Sequence, residues 1–415
     1  MLWRRKMKIA LLHFTAPPVV GGVESVLLHH ARLMTESGHE VTIFAGRGQS
    51  FDPAIQMQMQ PLFNSRNPEV LAVKKELDRG ICSSAFTTLR DRIQKILDRE
   101  LPAFDLVIAH NVASLNQNLP LTAALYSAHT APGFPRLILW HHDLAWTTPR
   151  YKNELHDGYP WQLLRQNWPG VTQVVVSETR RKELSQLMNV PIQQIQVVPN
   201  GVELNTFLKL SSHTIELAEK LKLLDADPLF LLPVRITPRK NIELALRILK
   251  AFRRSNPDAM LLVTGPEGPH NPANGLYRQE LIQLRNELQL QGYAHFLAET
   301  TSEFLPDEVI ADLYRLADVL LFPSREEGFG IPVIEAGFSG IPVFCADIPV
   351  FHELGGADLS YFNPDGDPER IAGEIGKRLN SEMTFRWARR ARHGFTWRSI
   401  NRKYIEPLIN RREQI

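Results

Sequence analysis

Phe322-Pro323-Ser324-Arg325-Glu326-Glu327-Gly328-Phe329-Gly330-Ile331-Pro332-Val333-Ile334-Glu335-Ala336-Gly337-Phe338-Ser339-Gly340 reads as the end of a strand, a loop and the start of a helix. The apolar run closing at Phe322 has the length of a buried strand, the acidic and glycine-rich residues 325–330 break it, and Pro332 suits the first turn of a helix. Strand, short loop and helix make the repeating unit of a parallel α/β sheet. Ligands of open α/β sheets bind beyond the carboxyl ends of the strands, which directs attention to this loop. Glu327 sits in the loop and Glu335 about a turn inside the helix, with seven residues between them. They do not share a helix face by simple spacing, yet both can project into the crevice at the strand's carboxyl end. Free N–H groups of the loop and of the helix N-terminus favour an anion such as a diphosphate. The plainer alternative is a glutamate stabilising a helix dipole beside a glycine-rich turn.

The same alternation runs outward in both directions. Strands are predicted at 229–235, 259–264, 294–298, 318–323 and 342–346, with helices near 241–253, 275–290, 307–316 and 331–339. After the first of these strands comes Ile236-Thr237-Pro238-Arg239-Lys240-Asn241, with Arg235 at the strand end and Lys240 near the next helix. Basic loop residues are usually solvated, but two fixed cations at the edge of the sheet that carries Glu327 are what a leaving phosphate requires. The N-terminal half shows a first unit of strand 8–14, a Pro17/Pro18/Gly21/Gly22 turn, and helical spacing from Val23 to Met34 that ends at Gly38. Further strands are expected at 41–44, 105–109, 137–141, 173–177 and 196–199, while 48–100 is less regular. Two successive α/β sheets imply two Rossmann-like domains, 1–205 and 206–394, with the natural site in a cleft between them.

Length and composition agree with that division. At about 100–200 residues per domain, 415 residues make two or three domains. Lys plus Arg (47) nearly balances Asp plus Glu (45), which excludes a disordered chain and a strongly basic nucleic-acid binder. The 24 glycines and 29 prolines follow no period and exclude collagen and a long coiled coil. Cys82 and Cys345 are too few for a disulfide framework, so a reducing cytosol is expected. No apolar stretch reaches the ~20 residues of a membrane span. The basic start, Arg4, Arg5, Lys6 and Lys8, reads as a solvated terminus or a weak membrane-surface contact. No internal repeat is evident. Absent too are the phosphate loop, H-E-x-x-H, G-x-S-x-G and, at the first turn, G-x-G-x-x-G, which weakens P-loop kinase, zinc protease, serine hydrolase and dinucleotide oxidoreductase readings.

Other candidates are modest singly. Gly21-Gly22-Val23-Glu24 opens a helix and is either a tight turn or a place where backbone N–H groups meet an anion or a hydroxyl. His142 lies in Trp140-His141-His142-Asp143 at a strand end, where a histidine is often only packed. Trp146, Tyr151, Tyr159, Trp161 and Trp168 could stack on sugars or simply pack.

Together with Val198-Pro199-Asn200-Gly201-Val202 and Thr264-Gly265-Pro266, these pieces in this order resemble the retaining nucleotide-sugar glycosyltransferases of family 4, across nearly the whole chain. The resemblance implies the α/β GT-B fold: an acceptor-binding N-terminal domain, a donor-binding C-terminal domain, and a helix at about 395–415 that crosses back to the first. It implies hexosyl transfer from a nucleoside diphosphate sugar to an acceptor hydroxyl of a saccharide, small molecule or lipid-linked compound. The anomeric configuration is retained by front-face attack, with neither metal nor cofactor. Arg235 and Lys240 would hold the diphosphate. Glu335 would bind the ribose hydroxyls, Glu327 would lie near the transferred sugar, and backbone N–H groups of Phe329 and Gly330 would assist. His142 would contact the sugar, Gly22 would approach the phosphate or acceptor, and Gly265 would belong to the donor loop. Asn200 matches the pattern without a definite role. Two departures stand out: Val234 replaces the usual small residue before Arg235, and the 265–274 segment is longer and more polar than the family's minimal loop. An epimerase or phosphorylase-like enzyme of related fold, or a non-catalytic nucleotide-sugar sensor, are the alternative readings.

Overall fold

The computed structural model describes residues 6–266, 273–300 and 305–411. Contacts divide the chain into two compact units, Met1–Val202 with Phe395–Ile415, and Glu203–Gly394. The division falls three residues before the predicted boundary at 205 because Val202 is held in the first unit. Its N–H donates to the Phe395 carbonyl (2.8 Å) and its carbonyl accepts from the Trp397 N–H (3.2 Å).

The first unit is a seven-stranded sheet. Its strands are β1 (Lys8–His13), β2 (Glu40–Ala45), β3 (Gln56–Met59), β4 (Leu106–His110), β5 (Arg136–His141), β6 (Thr172–Val175) and β7 (Ile195–Val197), in the spatial order β3-β2-β1-β4-β5-β6-β7. Every adjacent pair is parallel. A parallel sheet is covered on both faces, and β1 shows it residue by residue. Ala10 and Leu12 enter one apolar cluster, Ile9 and Leu11 the other. Trp397, Ile400, Ile405, Leu408 and Ile409 complete the second cluster, so the C-terminal segment is part of this unit's core.

The stretch 48–100, expected to be irregular, holds β3 and two helices, Pro68–Leu77 and Ser84–Glu100. β3 escapes a pattern search because Gln-Met-Gln-Met at the sheet's edge is largely solvent-exposed. The longer helix buries Phe86, Leu89, Ile93 and Leu97, spaced three or four apart among charged residues, and starts on the side chain of Ser83.

The second unit is a six-stranded parallel sheet of β8 (Leu229–Leu232), β9 (Met260–Val263), β10 (Ala294–Phe296), β11 (Val319–Phe322), β12 (Val343–Ala346) and β13 (Ser360–Phe362), in the order β10-β9-β8-β11-β12-β13. β8 ends at Leu232 rather than 235 because Pro233 has no N–H for the ladder, which leaves Arg235 in the loop beyond it. β13, with its short Ser-Tyr-Phe sequence, went unpredicted. In both units the order of connection reverses at one place, between β1 and β4 and between β8 and β11. Such a reversal opens the crevice in which doubly wound sheets bind ligands.

Candidate active site

In the second unit, the loops leaving β8 and β11 meet at that crevice. The Lys240 ammonium is hydrogen-bonded to the Glu327 carboxylate, and both side chains are nearly buried, with 10% and 9% of their surface exposed. Burial lowers the Lys240 pKa, and Glu327 opposes the shift. The Arg239 guanidinium lies 3.9 Å from the other Glu327 oxygen and donates to the Glu326 carbonyl at 3.1 Å. A backbone bond from Arg325 N–H to the Arg239 carbonyl (2.9 Å) laces the loops together. Arg235 is exposed at the turn beyond β8.

Gly330 precedes the helix Ile331–Ser339 with φ 98°, a left-handed conformation that favours glycine, and a Cβ there would come within 2.9 Å of Phe351. No side chain caps that helix, but Pro332 has no N–H and Val333 N–H donates to the Gly330 carbonyl (2.9 Å), so an anion would meet the N–H groups of Gly330 and Ile331; Phe329 beside them is exposed. Glu335 is half-buried and faces Tyr314; burial and this carboxylate together push the Tyr314 hydroxyl pKa up. Gly265 has a steric reason to be glycine. A Cβ would lie 2.1 Å from the Val234 carbonyl oxygen, where the loop after β9 crosses the loop after β8. Gly265 N–H donates to that carbonyl (3.1 Å) and Ile236 N–H to the Pro266 carbonyl (3.0 Å). A cavity of about 150 Å³ opens there, bordered by Val234, Arg235, Gly265, Pro266, Leu297 and Ile310. Val234 forms part of its wall, so the departure noted at that position bears on the pocket. Residues 267–272 of the long 265–274 loop lie outside the described residues.

In the first unit, the corresponding crevice gathers histidines. His142, 9% exposed, pairs through Nε2 with His110 Nδ1 at 3.1 Å, and the two rings stack. His13 Nδ1 lies 2.8 Å from the His110 carbonyl, and His30 packs against His110 and edge-on against Trp140. Burial is the first cause of a low pKa in all of them: His30 falls to about 3, while His13, His110 and His142 shift the same way, the last two strongly. His141, on the other face, falls to about 4.

The loop carrying His142 is anchored by Asn111, which adopts φ 57°. Its Oδ1 accepts from the N–H groups of His142 (2.7 Å) and Asp143 (3.3 Å). Gly22 is exposed at the start of the helix Gly22–Glu36, with nothing within 4 Å of where a Cβ would stand. Glu24, two residues on in the first turn, accepts from the Thr15 hydroxyl and lies 3.9 Å from His13 Nε2.

The structure thus joins Lys240 directly to Glu327, sets Arg235 beside the cavity with Gly265, and places Phe329, Gly330 and Glu335 on the adjoining loop and helix. Gly22, although predicted with the donor-binding residues, belongs to the first unit with His142. Sequence reasoning missed Arg239, Tyr314, Asn111 and the histidine stack. Arg239 stood in the quoted string; the others depend on pairings across 21 residues or more. Of the five aromatics considered for sugar stacking, Tyr151, Trp161 and Trp168 are buried in the core, Trp146 packs against it under the Arg165 guanidinium, and Tyr159 is exposed. Lys6 pairs with Glu40 at 2.7 Å, whereas Arg4 and Arg5 lie outside the described residues. No helix among the described residues is long and apolar enough to cross a membrane.

The sequence model of Glycosyltransferase Family 4 matches residues 20–206, and that of Glycosyl transferases group 1 matches residues 214–394. The chain belongs to glycosyltransferase family 4. Its two parallel α/β units are those of the GT-B class, and it is a glycosyltransferase. A curated relative, the MMP alpha-(1->4)-mannosyltransferase of Mycolicibacterium hassiacum, is 25% identical over 95% of this chain and 96% of its own. D-inositol 3-phosphate glycosyltransferase of Nocardia farcinica is 27% identical over 83% and 75%. Among solved structures, sucrose-phosphate synthase from Thermosynechococcus elongatus aligns with a TM-score of 0.38 and 16% identity, covering 98% of each chain.

Proposed function

We propose that this family 4 enzyme transfers a hexosyl group from a nucleoside diphosphate sugar to an acceptor hydroxyl with retention at the anomeric carbon, and that it needs no metal. The observation that carries the proposal is the Lys240–Glu327 pair with Arg239 and Arg235 at the reversal between β8 and β11. In the reaction the bond from the anomeric carbon to the diphosphate oxygen breaks, the acceptor oxygen bonds to that carbon on the same face, and the acceptor proton passes to the departing phosphate. Lys240 and Arg235 neutralise the negative charge that grows on the leaving group, which supplies the electrostatic stabilisation a divalent cation would otherwise provide. Glu327 holds Lys240 in place and lies where the transferred sugar would be bound. Glu335 receives the ribose hydroxyls. The cavity beside Val234 and Leu297 takes the flat base.

In the first unit His142 meets the sugar as a neutral imidazole, and Gly22 leaves the helix N-terminus bare for a phosphate or an acceptor group. A reducing cytosol is the proposed compartment, consistent with the free Cys82 and Cys345. Mannosyl transfer, named for the Mycolicibacterium relative, is the first donor chemistry to examine.

A thermal-shift screen of UDP-, GDP- and ADP-sugars tests the donor. The cognate donor, at 100 times its dissociation constant, stabilises the protein by about 2.7 kcal/mol, and an Arg235→Ala variant loses most of that shift. No shift with any nucleotide sugar, or conversion of the sugar without an acceptor, overturns the proposal.

A further inference from the structure

Residues 383–405 contain six arginines and one lysine and no acidic residue, in a chain whose total charges nearly balance. The run opens with the helix Met383–Phe395, which belongs to the second unit up to Gly394. Its two faces differ. Phe385, Arg389 and Arg392 follow helical spacing and turn inward: Phe385 is buried, Arg389 bonds Asp227 at 2.5 Å, and Arg392 bonds Asp318 at 2.9 Å. Met383, Arg386, Trp387 and Arg390 occupy the i, i+3, i+4 and i+7 positions of the outward stripe. Met383 is 76% exposed and Trp387 61%, and both arginines are exposed. Among the described residues the Arg386 and Arg390 guanidinium groups meet no carboxylate.

We propose that this stripe is a contact surface for an anionic lipid bilayer. An indole flanked by two unpaired guanidinium groups, with a thioether about a turn before them, matches the boundary between phosphate headgroups and acyl chains, where a tryptophan ring settles and arginines reach outward to phosphate. A second copy of the chain would bring the same positive stripe and be repelled. The buried face of the helix is already spent on its own unit, so only the stripe is available. The contact is weak and reversible, because a few side chains give marginal attachment and salt screens the charge.

The test is co-sedimentation of the whole protein with vesicles of phosphatidylcholine, with and without phosphatidylglycerol as a third of the lipid. Binding is expected only to the anionic vesicles, and is expected to fade at high salt. Arg386→Gln with Arg390→Gln should weaken it about 30-fold. Trp387 is the one tryptophan of the second unit, so its fluorescence should shift to the blue on binding, and Trp387→Phe should remove that change. Both variants should keep the wild-type melting temperature and turnover. Equal binding to neutral vesicles, no binding, or an unchanged affinity of the double arginine variant overturns the proposal. So does a loss of all binding in Lys6→Gln with Lys8→Gln, or capture of single-stranded DNA or an acidic protein without any affinity for vesicles.

Discussion

In the first unit, the ends of β1 and β4, the loop beyond β5 and the helix Gly22–Glu36 bring together histidines that burial keeps neutral, with His110 bonded to His142 and His13 to a backbone carbonyl. In the second, the loops beyond β8 and β11 collect an ion pair with further guanidinium groups beside it. The sheets reverse at equivalent places, so topology alone does not set the chemistry of either crevice. Neutral imidazoles suit hydroxyl-bearing partners, which need hydrogen bonds without a net field. Fixed cations suit a diphosphate, whose charge must be met before and during bond cleavage.

The largest way to break this contrast is to remove charge from the second unit. Lys240→Met should lower turnover by on the order of 10²–10³-fold, and should lower the melting temperature because Glu327 is left nearly buried without its lysine. Adding Glu327→Leu should restore the melting temperature without restoring turnover. If calorimetry and transfer assays move together in the double variant, the pair is structural only.

A smaller effect belongs to the first unit and to pH. The unfolded pKa of a histidine is about 6.5, whereas His30 and His141 lie near 3 and 4 when folded. Between those values the unfolded chain binds protons that the folded one refuses, so stability is complete above about pH 6.5 and is lost as the pH falls. At pH 5 each residue costs about 2 kcal/mol relative to neutral pH. Urea unfolding followed by tryptophan fluorescence reports mainly the first unit, where Trp140, Trp161, Trp168 and Trp397 are buried. His30→Leu should remove its own share, about 2 kcal/mol at pH 5, of a pH dependence to which His13, His110, His141 and His142 also contribute, and an unchanged slope would disprove a neutral stack.

The smallest expected effect sharpens the role of Asn111. Asn111→Gly keeps the left-handed backbone but removes the oxygen that holds the His142 loop, and turnover should fall about tenfold. Asn111→Asp retains the acceptor and should recover most of it. Equal rates for the two variants would show that the side chain does not position His142.

Much of the framework was legible because each buried parallel strand announces itself as a short apolar run, and the loop from Phe322 to Gly340 carries glycine and proline at positions where backbone geometry requires them. β3 was not legible, since an edge strand of glutamine and methionine has no buried face to betray it. The helix Ser84–Glu100 was legible in principle from Phe86, Leu89, Ile93 and Leu97, but charged neighbours obscured the period. At the site, residue types and strand-end positions singled out Lys240 and Glu327, while the bond between them, spanning 87 residues, needed the fold. The histidine stack was hidden for the same reason: His30 reads as an ordinary core position of its helix until Trp140 and His110 are seen against it.

The tie between Val202 and the 395–397 segment has a consequence for how the protein is made. The second unit is an insertion within the first. During synthesis the seven strands of the first sheet leave the ribosome early, but the residues that seal one of its faces, from Trp397 to Ile409, follow the entire 203–394 segment. That face, on which the helix Gly22–Glu36 already packs, must wait incompletely sealed while another unit is translated, an interval in which a chaperone or a premature contact can compete for it.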